Sequence, residues 1–277
     1  IGMILMKNTT GKKIWIVKNT YKKTQAIVSA LEALCLEAGF VFDEENPEII
    51  ISVGGDGTLL AALHYYETQL ETVRFIGVHT GHLGFYADFQ EHELEQVVEA
   101  IQNEKPDEAF KYQLLKVQIH FTDGRIKTHL ALNESVIKRA SKTLVADVKI
   151  SDFLFEKFRG DGLSVSTPTG STAYNKSIGG AVMHPRVHAF QVTEVASLNN
   201  LVYRTLGAPM IIAEKDAVTI ELENADDYLL TVDQLEYFYD QIASVTYSLD
   251  GGVISFVNGG HTGFWHRVKN SFIGEVK

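Results

Sequence analysis

The hydrophobic pattern of the sequence changes its period near Phe110, and this change limits the possible folds more than any other feature. Before that point, short apolar runs alternate with segments of helical spacing. Apolar runs cover 14–17, 49–53 and 74–79, and helical patterns end near Gly39 or span 59–66 and 91–103. This βαβαβα order is typical of a mostly parallel sheet covered by helices. We therefore expect residues 1–110 to form an α/β domain.

From residue 112 onward, apolar residues recur at every second position, which is the period of a half-buried β-strand. The pattern is clearest over 115–121, and the Asp-Gly pair at 123–124 is typical of a hairpin turn. Further strand patterns cover 144–150, 218–222 and 229–232. The sequence thus predicts a mainly β domain over 111–249. Helical spacing returns through Phe264, Val268 and Phe272, so we expect residues 250–277 to complete the α/β domain.

Composition narrows the class of protein. The chain has 277 residues, of which 45% are hydrophobic, and this is enough for a buried core. A net charge of −10 argues against a non-specific nucleic-acid partner, because phosphate neutralisation needs clustered Lys and Arg. No apolar run approaches the ~18 to 20 residues of a membrane span, so we expect a cytoplasmic protein without a membrane partner. The single cysteine, Cys35, has no disulfide partner in the chain and is expected in the core.

Gly-Gly-Asp-Gly at 54–57 lies between an apolar run and a helical pattern. In this arrangement glycines let ligand oxygens approach the backbone, and N–H groups at a helix start face a phosphate. The P-loop motif is absent, and the dinucleotide fingerprint fails because Leu60 stands where its third glycine belongs. A phosphate-binding loop and a tight turn with Asp56 as helix N-cap are both compatible with these four residues.

Two further stretches combine glycines with polar residues. Residues 79–88, HTGHLGFYAD, also follow an apolar run, so this loop and 54–57 are both expected at the carboxyl end of the sheet, where ligands bind. His79 and His82 are a poor metal pair, and loop packing or phosphate contact is the favoured interpretation. Residues 158–185 are rich in hydroxyls and contain Asp161 and Tyr174, which suit a polar, planar ligand.

In combination, these motifs resemble the NAD kinase family. The match includes, in chain order, GGDG at 54–57, GHLGF at 81–85, Asn133-Glu134, TPTGSTAY at 167–174, the Gly-Gly and His-Pro pairs beyond it, and Asp233. The resemblance implies a Rossmann-like N-terminal α/β domain, a β-rich, β-sandwich-like C-terminal domain, and a C-terminal segment that returns to the first domain. It also implies transfer of the γ-phosphoryl group of ATP to the 2′-hydroxyl of the adenosine ribose of NAD, which gives NADP.

The resemblance assigns roles to individual residues. Asp56 is the expected catalytic proton acceptor, and the expected phosphate loop consists of Gly54, Gly55, Gly57 and Thr58. The residues expected to contact the substrate NAD are Asp56, Gly57, Phe85, Asn133, Glu134, Arg159, Asp161, Thr172, Ala173, Tyr174, Asn175, Lys176, Ser177, Ala196 and Gln234. Gln234 departs from the family, in which glycine or histidine often follows the aspartate. The expected divalent cation is Mg²⁺ carried by ATP, with no metal ligands assigned, and the expected assembly is a homodimer or homotetramer.

Two other functions share some of these motifs. A lipid kinase uses the same GGDG loop, but residues 167–177 are too polar to hold a lipid chain. A non-catalytic NAD(P) sensor would keep the pocket, but the presence of Asp56 argues against it. Because the phosphate loops fall in the α/β half and most NAD contacts in the β half, we expect the active site in a cleft between the domains.

Overall fold

A computed structural model describes residues 11–81, 84–223, 227–260 and 263–274. These residues form two compact units: the first runs to Lys111 and resumes at Ile254, and the second spans Tyr112–Val253. The predicted fold class, α/β plus mainly β, is confirmed. The domain limits expected from the sequence, 111 and 249 for the β domain, stay a prediction.

The α-helices and strands follow the chain in this order. The first part contains β1 (Lys13–Lys18), α1 (Lys22–Glu37), β2 (Val41–Phe42), β3 (Ile49–Gly54), α2 (Asp56–Tyr65), β4 (Arg74–His79), β5 (Phe89–Gln90), α3 (Leu94–Gln102) and β6 (Phe110–Gln113). The middle contains β7 (Leu115–Phe121), β8 (Ile126–Ala131), β9 (Glu134–Arg139), β10 (Leu144–Ile150), β11 (Phe153–Gly160), β12 (Gly162–Ser166), α4 (Tyr174–Ser177), β13 (Ala189–Val195), β14 (Met210–Ala213), β15 (Val218–Leu222), β16 (Tyr228–Val232), β17 (Leu235–Tyr239) and β18 (Ile242–Ser248). The end contains β19 (Val253–Phe256) and α5 (Phe264–Phe272).

The sheet of the first unit has the order β2-β1-β3-β4-β19-β6, with β5 paired to β4. The strand pairs β1–β3, β3–β4 and β4–β19 are parallel. All six residues of β3 are buried, as expected for a central strand covered on both faces. Strand β19 lies beside β4, so the C-terminal segment returns to this unit as predicted.

The core of the first unit forms where helices cover the sheet. Val28, Leu31 and Cys35 of α1 join Ile49 and Ile51 of β3 in one buried cluster. Cys35 is fully buried, which confirms its expected place in the core, and burial raises the pKa of its thiol to about 12. At neutral pH the thiol is therefore protonated and unreactive.

The second unit is a sandwich of two antiparallel sheets. Their strand orders are β11-β10-β15-β18-β7-β8 and β14-β13-β12-β9-β16-β17. Residues of β7 alternate between buried and half-buried, and Val117 and Ile119 share one core cluster with Ile137 and Val165 of the other sheet. The β-sandwich-like form is thus confirmed. The polar stretch 158–185 is not a continuous loop, because its first residues form the end of β11 and all of β12.

Candidate active site

Two glycine-rich loops lie side by side at the carboxyl end of the parallel sheet in the first unit. Gly54, the last residue of β3, pairs with His79, the last residue of β4. The N–H of Thr80 then donates to the carbonyl oxygen of Gly54 at 3.3 Å. This edge of an open α/β sheet is the usual position for a ligand.

Asp56 connects these two loops. The cap residue of α2 is Gly55 and the helix begins at Asp56, so the alternative of Asp56 as N-cap is wrong. Its carboxylate instead accepts hydrogen bonds from the N–H of Phe85 at 2.8 Å and the N–H of Tyr86 at 3.2 Å. A Cβ at Gly84 would clash with this carboxylate, which explains the glycine at that position. The carboxylate is thereby fixed at the start of the helix.

Of the three glycines of this loop, only Gly54 is required by the packing of the fold. A Cβ at Gly54 would clash with the side chain of Thr58, so the fold needs a glycine there. Gly55 and Gly57 are exposed, and a Cβ at either position would meet no atom of the described residues within 4 Å. The absence of side chains at these two positions therefore leaves the backbone of the first helical turn open to a ligand.

The C-terminal helix packs on the second loop. The ring of Phe85 lies 6.3 Å from that of Phe264 and 5.8 Å from that of Phe272. Two of the three apolar residues that predicted α5 thus contact the loop that holds Asp56. Phe85 is a predicted NAD contact, and it is half-buried by these rings.

A separate pocket of about 290 Å³ lies in the second unit. It is lined by Glu134, Val136, Lys138, Tyr174, Thr231, Asp233, Gln234 and Glu236. The structure therefore brings together Glu134, Tyr174 and Gln234, which are far apart in sequence and were each predicted to contact NAD. The role of Gln234 remains a prediction.

Asp233 organises the backbone at the base of this pocket. Its carboxylate accepts hydrogen bonds from the N–H groups of Leu132, Asn133 and Glu134 at 3.0, 2.7 and 3.3 Å. Asp233 itself adopts a left-handed φ of 51°. A Cβ at Gly170 would clash with the carbonyl of Asn133, so Gly170 allows the hydroxyl-rich turn to approach this segment. Sequence reasoning noted Asp233 as part of the motif but did not foresee this framework role.

Glu134 has an unusual environment for a carboxyl group. It is 8% exposed, and burial, with a further contribution from the charge of Asp233, raises its pKa to about 8. A hydrogen bond from the N–H of Tyr174 partly offsets this rise. Its Oε2 atom is buried without a hydrogen-bond partner among the described residues. Glu134 can therefore exchange a hydrogen bond with a hydroxyl of a ligand.

The predicted adenine wall is only partly exposed. Tyr174 is 41% exposed at the pocket, whereas Thr172 is buried and its hydroxyl donates to the carbonyl of Thr169 at 3.2 Å. Lys176 and Ser177 are exposed on the short helix α4.

Asn175, a predicted NAD contact, uses its side chain within the fold. Asn175 is fully buried, and its Oδ1 atom accepts a hydrogen bond from the hydroxyl of Thr193 at 2.8 Å. Its Nδ2 atom donates to the carbonyls of Ser171 and Ala181. Both polar ends of the side chain are thus used within the fold, and the contact of Asn175 with NAD stays a prediction.

The remaining predicted contacts lie along β11 and the end of β13. The guanidinium of Arg159 lies 5.4 Å from the centre of the Tyr203 ring, and Asp161 is exposed. Ala196 has a left-handed φ of 47° and lines a second cavity of about 340 Å³ with Thr193 and neighbouring residues. The structure therefore places Ala196 at a cavity other than the one that contains Tyr174.

The described residues contain neither a metal-binding cluster nor a membrane-spanning helix. Within 11–81, 84–223, 227–260 and 263–274, no group of three or more His, Cys, Asp or Glu side chains is arranged to hold a metal ion. His79 is buried with its Nδ1 atom 3.0 Å from the carbonyl oxygen of Gly81, and His82 lies outside the described residues. None of the described helices is both long and apolar enough to span a membrane.

A glycine-rich loop that opens a helix in the α/β unit, and a pocket with a buried carboxyl group in the β unit, are features expected of a nucleotide-binding protein. Comparison with known families makes this specific. Residues 14–105 match the family of ATP-NAD kinase N-terminal domains, and residues 132–255 match that of ATP-NAD kinase C-terminal domains. The chain belongs to the NAD kinase family.

Curated relatives agree over nearly the whole chain. The NAD kinase of Lactococcus lactis subsp. cremoris is 61% identical over 267 residues, which cover 96% of this chain and 99% of that protein. The NAD kinase of Enterococcus faecalis is 53% identical over 264 residues, covering 95% and 99%.

Two solved structures share the fold. Yeast NADH kinase complexed with NADH has a TM-score of 0.77 at 18% identity and covers 96% of this chain and 89% of its own. An NAD kinase from Archaeoglobus fulgidus in complex with ATP has a TM-score of 0.71 at 20% identity and covers 90% and 94%. At these identities the two structures show the fold alone.

Proposed function

We propose that this protein is a NAD kinase that transfers the γ-phosphoryl group of ATP to the 2′-hydroxyl of the adenosine ribose of NAD. The observation that carries this proposal is the position of Asp56. It is the first residue of α2, lies between two exposed glycines, and is fixed by two backbone N–H groups. The family of the chain supports ATP as donor and NAD as acceptor.

Asp56 acts mainly by orienting the acceptor hydroxyl. Phosphoryl transfer has a loose transition state, so alignment and charge stabilisation contribute most of the rate. A carboxylate is a weak base toward a free alcohol, and it accepts the proton late, when the oxygen has become acidic. Each carboxylate oxygen of Asp56 accepts one N–H, which leaves further lone pairs for the substrate hydroxyl.

The phosphates of ATP suit the open backbone at Gly55 and Gly57. N–H groups at the start of α2 and the positive end of the helix dipole favour negative charge there. Mg²⁺ binds through phosphate oxygens and one or two carboxylates rather than in a complete protein cage. The exposed loop with its single carboxylate, Asp56, fits a cation of this kind, which would offset phosphate charge.

The ribose of NAD suits the pocket of the second unit. With its pKa raised to about 8, Glu134 is largely protonated at neutral pH and can donate a hydrogen bond as well as accept one. Asn133, held by Asp233, presents a second group able to do both. Tyr174 offers an exposed ring on which a base can stack.

The proposal is tested by incubating the protein with NAD, ATP and Mg²⁺ and measuring NADP in a coupled assay. Asp56→Asn should lower kcat by ~10²-fold or more with little change in NAD affinity, because an orienting base acts mainly in the transition state. A kcat close to that of the wild type in this variant would show that Asp56 has only a structural role. A diacylglycerol acceptor serves as the control for lipid kinase activity, and NAD binding without any NADP would identify a sensor.

A homodimer or homotetramer, which the family resemblance implies, and a cytoplasmic location, which is expected because the sequence has no apolar run of membrane-spanning length, are further parts of this proposal. Light scattering coupled to gel filtration measures the mass of the assembly. A mass equal to that of one chain, 30.8 kDa, would contradict the oligomer.

A further inference from the structure

We propose that Arg267 of the C-terminal helix is a positioning residue for Asp56, acting through the peptide groups of residues 84–88. This inference rests on the proposed function, because it assigns the carboxylate to phosphoryl transfer. Arg267 is 1% exposed although it is charged. Its guanidinium donates to the carbonyl of Gly84 at 3.1 Å and to the carbonyl of Ala87 at 2.7 Å, and it forms an ion pair with Asp88.

Arg267 and Asp56 bind the two polar groups of one peptide unit, the carbonyl of Gly84 and the N–H of Phe85. The carbonyl of Gly84 and the N–H of Phe85 belong to the same planar unit, and in a trans peptide they point in opposite directions. Arg267 binds the oxygen of this unit, and the N–H donates to Oδ2 of Asp56 at 2.8 Å. A cation on the oxygen polarises the peptide group and strengthens its N–H as a donor. The arginine therefore fixes the orientation of the group that orients the carboxylate.

Stability alone is a poor explanation for a charge at this position. A buried ion pair costs desolvation energy that its attraction often fails to repay, and apolar replacements can be equally stable. The side chain of Asp88 is only 6% exposed, so both partners carry this cost. The arrangement is better explained by the fixed geometry that a planar guanidinium imposes on several acceptors at once.

Steady-state kinetics of two variants test the proposal. Arg267→Lys is compared with Lys269→Gln, which removes an exposed cation from the same helix. Lysine keeps the charge but loses the planar fork. We expect kcat of Arg267→Lys to fall ~10- to 100-fold, the effect of a displacement of about 1 Å in a reacting group. The KM for NAD should change much less than kcat, since the pocket contacts Glu134 and Tyr174 are untouched and only the segment with Phe85 is displaced, and Lys269→Gln should match the wild type.

A double-mutant cycle separates positioning from general structural support. If Arg267 acts through Asp56, Arg267→Lys should lower the single-turnover rate much less in an Asp56→Asn background than in the wild type. If Arg267→Lys lowers the rate by the same factor in both backgrounds, the two residues act independently and the proposal is wrong. If Arg267→Lys does not fold, Asp88→Asn, which leaves the guanidinium on both carbonyls, should show the same non-additivity at smaller amplitude.

Amide hydrogen exchange gives a readout that does not depend on activity. Loss of protection at Phe85 and Tyr86 in Arg267→Lys, with unchanged protection in α2, supports the proposal. Unchanged exchange at these two amides overturns it. If the wild type makes no NADP, the proposed function fails, and the exchange experiment still decides whether Arg267 orders this segment.

Discussion

At Glu134, burial changes the chemistry of a carboxyl group more than any neighbouring charge does. Its pKa rises from 4.5 to about 8, first because of desolvation and second because of Asp233. A raised carboxyl pKa means that the folded state favours the protonated form. The stabilisation that the protonated Glu134 gives to the folded state is therefore fully present below pH 4.5, and it is lost as the pH rises through about 8.

Glu134→Gln should flatten the pH dependence of stability over this window. Glutamine has the shape of the protonated acid and does not ionise, so the variant loses less stability between pH 5 and pH 8 than the wild type. Urea unfolding at the two pH values measures the difference. Glu236→Gln, an exposed change at the same pocket, is the matched control. Parallel pH profiles for the wild type and Glu134→Gln would contradict the raised pKa.

Motif spacing predicts which residue types gather at a site, but not which way each side chain points. Tyr174 and Asn175 are neighbours in the same motif, yet the first is exposed at the pocket and the second is fully buried. Local backbone geometry decides between them, and the buried position of Asn175 depends on a partner, Thr193, in strand β13.

Arg267 was missed because a single arginine in a helical pattern is usually a solvated surface residue. Its spacing carried a signal: it lies three residues after Phe264 and one before Val268, on the apolar face of α5. A charged residue within an apolar face calls for a buried partner. The identity of that partner, Asp88, is a property of the tertiary fold.

At the scale of elements, the sequence predicts strands well where one pattern dominates. Strands β10 and β15 coincide with the predicted 144–150 and 218–222, and β4 with 74–79. Strands β9 and β12 were not predicted, because hydroxyl residues such as Ser135 and Ser164 are buried in them and interrupt the apolar alternation. Pairing in the centre of a sheet compensates for their weak pattern.

The junction of β3 and α2 permits a test that separates fold from ligand binding. Gly54→Ala should lower the melting temperature, because the new Cβ clashes with Thr58. Gly57→Ala meets open space within a helix, where alanine is favoured over glycine by ~0.5 to 1 kcal/mol, so the melting temperature should hold or rise. The KM for ATP should nevertheless increase in Gly57→Ala, because its methyl group covers the open backbone. An unchanged KM would remove Gly57 from the phosphate loop.

At the scale of the whole molecule, the residues that complete the first unit follow the second unit in the sequence. Strand β19 lies between β4 and β6, with Ile254 and Phe256 buried. The ring of Phe256 stacks on that of Tyr86 at 6.2 Å, and the N–H of Val257 donates to the carbonyl of Phe75 at 2.9 Å. Residues far apart in sequence therefore support the loop that holds Asp56. The local periodicity of the sequence does not predict such long-range contacts.

Two truncations should separate the roles of β19 and α5. A chain ending at Asp250 lacks both elements, and the loss of buried Ile254 and Phe256, at ~1.5 to 3 kcal/mol each, should lower the melting temperature by ~10 °C or more. A chain ending at Gly260 keeps β19 and loses only α5, so it should unfold at a higher temperature than the shorter chain. Because it also lacks Arg267 and the rings that pack on Phe85, its kcat should fall even where it remains folded. Calorimetry and the NADP assay measure the two effects on the same samples. Full-length stability and kcat in the chain ending at Asp250 would contradict this account of the C-terminal segment.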